Sequence, residues 1–139
     1  MDGKKFVVGT VTGGVAYFFV GFVAYAIILD GFFEANLGPA TGVYKTEMQF
    51  WPIILGDLAH AALLTYIFQN WAKIGSAMDG LKAGALVGFL MTLGHDLIQY
   101  DTTNIMNFNG YLVDIIAYTI ISGVAGAVIA LVAGAKDTD

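Results

Sequence analysis

Four stretches of the chain are almost continuously apolar, and the polar residues gather between them. They run from Phe6 to Leu29, Pro52 to Trp71, Leu81 to Tyr100 and Tyr111 to Val132. About 20 apolar residues in helical form cover the roughly 30 Å hydrocarbon core of a bilayer. Each stretch meets that length. The pattern therefore predicts an all-α, integral membrane bundle of four transmembrane helices, in one domain over residues 1–139. Pro52 is compatible with this because the first turn of a helix has backbone N–H groups without intrahelical partners. Trp51, Trp71, Tyr100 and Tyr111 stand at span ends, where amphipathic rings favour the membrane interface.

The first stretch follows Lys4 and Lys5, as the core of a signal peptide would. Its apolar run is longer than such a core and no A-x-A cleavage site follows, so it is expected to be a retained helix. Lysine sets the orientation. Lys4, Lys5, Lys73, Lys82 and Lys136 fall on one side of a four-span chain, and only Lys45 falls on the other. The positive-inside rule then puts both termini in the cytoplasm. The link KIGSAMDG, residues 73–80, is cytoplasmic and short. The outer loop over 30–51 is long, and part of it is a candidate for lying in the interface. The second outer link, DTTNIMNFNG, is expected to be an ordered turn. No internal repeat stands out.

Composition sharpens this picture. Apolar residues make up 58% of the chain and charged ones 12%, against about a quarter charged in an ordinary soluble domain. The net charge is −5, arginine is absent and the lysines form no stripe, which argues against nucleic acid as a partner. With no cysteine, disulfides, zinc–thiolate sites and Cys nucleophiles are excluded. There is no G-x-S-x-G, P-loop or dinucleotide fingerprint in a strand-to-helix setting, so a soluble-enzyme reading fails.

Small residues recur at four-residue spacing. Gly80, Gly84 and Gly88 form a stripe that continues through Thr92 to Asp96. Ser122, Gly126 and Ala130 form another, which traced backward reaches Tyr118 and Asp114. Gly9, Gly13, Tyr17, Gly21 and Tyr25 form a third. Lipid tails are as apolar as leucine, so helices in a bilayer associate where small residues let backbones approach. These stripes are expected to be packing faces, and they predict that Asp96 and Asp114 point toward protein rather than lipid.

Ionisable groups inside the spans share one level. At 1.5 Å per residue, Asp57, His60, His95, Asp96 and Asp114 all fall about 5–12 Å below the outer edge of the apolar zone. A charged side chain at the centre of a span costs about 2.5–3.5 kcal/mol on insertion scales, so such groups need partners. Asp57 and His60 are close on one helical face. His95 and Asp96 are about 100° apart on theirs, so only one of them can point into the bundle centre. Gln99 and Tyr118 are candidates to complete the hydrogen bonding, with a proton shared within the cluster.

Four uses of this layer follow from its chemistry. It can be polar glue that fixes helix register. It can handle protons or a transported ion, which in so small a chain requires an oligomer. Asp57, His60, His95 and Asp114 can ligate a metal ion, since two imidazoles and two carboxylates suit Zn, Mn or Fe. His60 and His95 can hold a b-type haem between helices. The reading preferred is a non-enzymatic membrane protein with an Asp/His pocket in its outer half, without a resident cofactor. It would act as a binding or assembly subunit in a homo-oligomer or beside a larger membrane protein.

The segments GGVAYFFVGFVAYAIILDGFF and GFLMTLGHDLIQY resemble a family of small bacterial inner-membrane proteins that have four helices and are classed as a domain of unknown function. That resemblance implies a bacterial source and a four-helix topology. It brings no catalytic residues.

Overall fold

A computed structural model describes residues 1–135; Lys136 lies outside them. The described residues form an all-α structure. Helix α1 is Gly3–Phe22 and continues as a π-helical segment, Val23–Ile28. Asp2 caps it by accepting from the backbone N–H groups of Lys4 and Lys5. A short α2, Asp30–Ala35, follows at the far end. Helix α3, Phe50–Tyr66, also continues as a π-helical segment, Ile67–Trp71. Helix α4 is Ala77–Thr102 and α5 is Phe108–Ala133. Four helical stretches are long and apolar enough to cross a membrane: Gly3–Ile28, Phe50–Trp71, Ala77–Thr102 and Phe108–Ala133.

Helices α1, α4 and α5 begin earlier than their apolar runs because their N-caps are polar. Ser76 accepts from the Asp79 N–H while its hydroxyl donates to the Asp79 carboxylate, an N-cap that starts α4 four residues before Leu81. Asn107 caps α5 by accepting from the Gly110 N–H. The link between α3 and α4 is correspondingly tight. Lys73 takes a left-handed backbone conformation with φ 51°, and the Ile74 N–H reaches back to the Phe68 carbonyl. This is the position after a helix that glycine usually fills.

Packing is unequal. Helix α1 lies against α3 and α5, and α4 packs mainly on α5. Helices α3 and α4 make no extensive contact, so a groove remains between them with α5 as its floor. The α4–α5 contact uses the two stripes read from sequence. A Cβ on Gly80 would strike the Gly126 carbonyl, and one on Gly84 would strike the Ser122 carbonyl. Gly88 lies as closely against the Ser122 side chain. Gly13 of α1 meets Ile129 and Ala61 in the same way. The core where α1, α3 and α5 meet holds Tyr17, Ala61, Leu64, Phe68, Ile121, Ala125 and Ile129.

Large apolar side chains cover the outside. Phe19 is 62% exposed, Leu90 57%, Ile120 60% and Leu131 71%. Apolar surface on all of the long helices marks contact with lipid or with other protein. The start of α1, the end of α5 and the α3–α4 link lie at one end, where the Lys5 ammonium donates to the Gly134 carbonyl and the Ala135 N–H to that of Ile74. At the opposite end the link from α2 to α3 pairs with the short link from α4 to α5. Leu37 and Met106 form an antiparallel bridge, the Gly38 N–H donates to the Ile105 carbonyl, and the Asn107 N–H donates to that of Asn36. Gly38 is required here, because a Cβ would strike the Asn104 carbonyl.

Candidate functional site

Two polar systems occupy the middle and the far half of the helices, and they differ in one respect. The first is complete. The Ser122 hydroxyl donates to the Gly84 carbonyl at 2.8 Å. Its single proton is thereby used, so the Tyr17 hydroxyl, 2.6 Å away, is the donor to Ser122 Oγ. One chain of bonds thus joins α1, α5 and α4, all of it buried.

The second system lies beyond it, toward the paired links. His60 of α3, His95 and Asp96 of α4, and Asp114 and Tyr118 of α5 line the α3–α4 groove with Met91 and Thr92, around a volume of about 340 Å³. Tyr118 and His60 Nδ1 are 2.6 Å apart. With the imidazole proton on Nε2, the phenol is the donor. Tyr17, Tyr118 and His60 also pack ring against ring, with centroids 5.6–6.1 Å apart.

Asp96 is 3% exposed, and its Oδ2 has no hydrogen-bond partner. It faces the carboxyl of Asp114, another acceptor when ionised. Thr10 Oγ1 and Gln69 Oε1 are also buried without a partner. Both lie toward the end that carries the α3–α4 link, away from the cluster. Asp96 is therefore the one buried carboxylate whose bonding capacity is left open in this region.

The structure separates some residues that the sequence grouped. Asp96 turns inward while its neighbour His95 is exposed, as their angular offset on one helix requires. Asp57 does not share the groove. It lines an adjoining cavity of about 250 Å³ with Tyr17, Tyr25 and Tyr118, while His60 is engaged by Tyr118 instead. Gln99 is half-buried on α4 outside the groove lining. Its carbonyl accepts from the backbone N–H and the hydroxyl of Thr103.

Among the described residues, no three His, Asp or Glu side chains converge closely enough to hold a metal ion. The ligand set Asp57, His60, His95 and Asp114 is accordingly not assembled in this arrangement. His60 is engaged through Nδ1 by Tyr118, while His95 is exposed on α4.

A third cavity, of about 530 Å³, opens among the links at the far end. It meets the groove at Asp114 and the Asp57 cavity at Tyr25. Sequence reading missed this vestibule, since its aromatic and acidic residues come from α1, α2, the outer loop and α5. The signal available was DGFFE directly after the first span, with Tyr25 before it. Tyr25 lies on the π-helical segment, a widened turn often found at functional positions.

The chain matches no family model, no curated protein and no solved structure.

Proposed function

We propose that this is a non-enzymatic integral membrane protein whose outer half holds a binding site built on the carboxyl pair Asp96 and Asp114. Its four long helices cross the bacterial inner membrane, with both termini in the cytoplasm and the paired links outside. The lysine distribution and the apolar exterior support this placement. No donor group among the described residues reaches Asp96 Oδ2, so a proton held between the two carboxyls is what would relieve the repulsion of the pair. The cavities among the links give it a route to the outer face.

The observation that carries this reading is the unpartnered Oδ2 of Asp96. Polar glue satisfies its own groups, as Tyr17, Ser122 and Gly84 do. A buried carboxylate left open costs stability. Asp96→Asn therefore separates the two uses. If Asp96 is glue, the variant in lipid nanodiscs loses about 1–3 kcal/mol of stability. If it is a site, the variant unfolds at the same or a higher temperature and loses its exchangeable proton.

A proton- or ion-coupled transporter is the second reading. It is favoured by the contrast between the cavities at the outer end and the backbone-close glycine packing beneath them. In that case transport requires assembly, either with a second copy or with a larger membrane protein. The side left unpacked between α3 and α4 is the face available for it.

A further inference from the structure

The vestibule at the outer end has a wall chemistry distinct from that of the groove behind it. Three aromatic rings line it: Tyr25, Phe33 and Tyr44. Three carboxylates line it as well: Asp30, Glu34 and Asp114. Leu37 and Met106 complete the wall, and no lysine takes part. The Tyr25 and Phe33 rings are held together, with centroids 5.7 Å apart. The bridge between Leu37 and Met106 fixes the two links that close the cavity. At its inner end, Asp114 is backed by the buried Asp96, whose Oδ2 lacks a partner.

Each feature restricts the ligand. Carboxylates with no facing cation exclude an anion. They line an open chamber rather than converging on a point, and among the described residues no group of three could hold a metal ion. Aromatic faces attract cations through the ring quadrupole, and weakly hydrated organic cations are the ones such cages take. A volume of about 530 Å³ lies within the range of roughly 300–1,000 Å³ usual for small-molecule pockets.

We infer that the vestibule formed by Tyr25, Phe33, Tyr44, Asp30, Glu34 and Asp114 binds an organic ammonium cation that carries an apolar group. The inference rests on the reading of the Asp96–Asp114 region as a binding site and names the class of ligand reaching it from outside. The ammonium sits among the rings with the carboxylates around it, and Leu37 and Met106 contact the apolar group.

The test is equilibrium dialysis of labelled benzyltrimethylammonium against the full chain in nanodiscs of zwitterionic lipid, which avoids cation binding to anionic headgroups. Saturable binding is expected, with Kd on the order of 0.1–1 mM. Phe33→Ala and Tyr44→Ala should each weaken it about three- to ten-fold. Glu34→Gln should weaken it as well. Glu47→Gln, which removes a charge from the same loop outside this cavity, should leave it unchanged.

No saturable binding by the wild type overturns the inference. So does binding that the two aromatic variants leave intact, since that would be attraction to charge alone. The stability of Asp96→Asn is measured without the probe. A failed titration beside an Asp96→Asn protein of unreduced stability therefore removes the ligand class and leaves the carboxyl site standing.

Discussion

Ser122 Oγ lies 2.6 Å from the Tyr17 hydroxyl, and the proton it gives to Gly84 decides the direction of that bond. The relationship puts a fully satisfied polar link in the middle of the helices. Two steps further up the Gly84–Gly88 stripe, Asp96 is buried with an oxygen unpaired. The first arrangement holds helices together; the second leaves chemistry available.

Ser122→Ala breaks both bonds at once and leaves the buried Tyr17 hydroxyl without its acceptor. The expected cost is about 1–3 kcal/mol. It should appear in thermal or denaturant unfolding of the reconstituted protein, with Tyr17→Phe recovering part of the loss because the orphaned hydroxyl is gone.

Two glycines on α4 should respond in opposite ways. A Cβ on Gly84 meets the Ser122 carbonyl, whereas Gly94 has nothing within 4 Å of the position. Gly84→Ala must push α4 off α5 and should cost about 1–3 kcal/mol. Gly94→Ala should be neutral or stabilise by up to about 1 kcal/mol through helix propensity. Equal effects in an unfolding assay would refute the assigned interface.

Asn107 both caps α5 and ties the two paired links through Asn36. Asn107→Ala should lower stability by about 1 kcal/mol. Hydrogen exchange should also quicken at Gly38 and Ala40, whose N–H groups bond across the links.

Membrane topology is directly testable. A reporter on either terminus should be active only in the cytoplasm, and a cysteine placed at Thr46 should react with an impermeant reagent from outside. A C-terminal reporter active outside would reverse the orientation and with it the side from which the carboxyl pair is reached.

Much of this fold is written in hydropathy, because a helix in lipid must be apolar over its whole length. The helix bounds missed the polar caps Asp2, Ser76 and Asn107, which lie outside any apolar window yet fix the first turn. The stripe Gly80–Gly84–Gly88 was legible as a packing face because glycines at four-residue spacing leave a strip of bare backbone, and its partner stripe was legible for the same reason. The inward turn of Asp96 followed from its place on that stripe. The engagement of His60 by Tyr118 was not legible, since it depends on which helices become neighbours. Helix α3 packs on α1 and leaves α4 at a distance, and no periodicity reports that choice. The vestibule was hidden for a related reason: its walls come from segments far apart in sequence, drawn together by backbone pairing of two links.

The most direct measurement is infrared spectroscopy of the carboxyl C=O stretch in the reconstituted protein while the outer pH is varied. The buried pair should give a protonated-carboxyl band that exchanges with the outer solution and disappears in both Asp96→Asn and Asp114→Asn. A spectrum with no such band, or one unchanged when either aspartate is replaced, would contradict it.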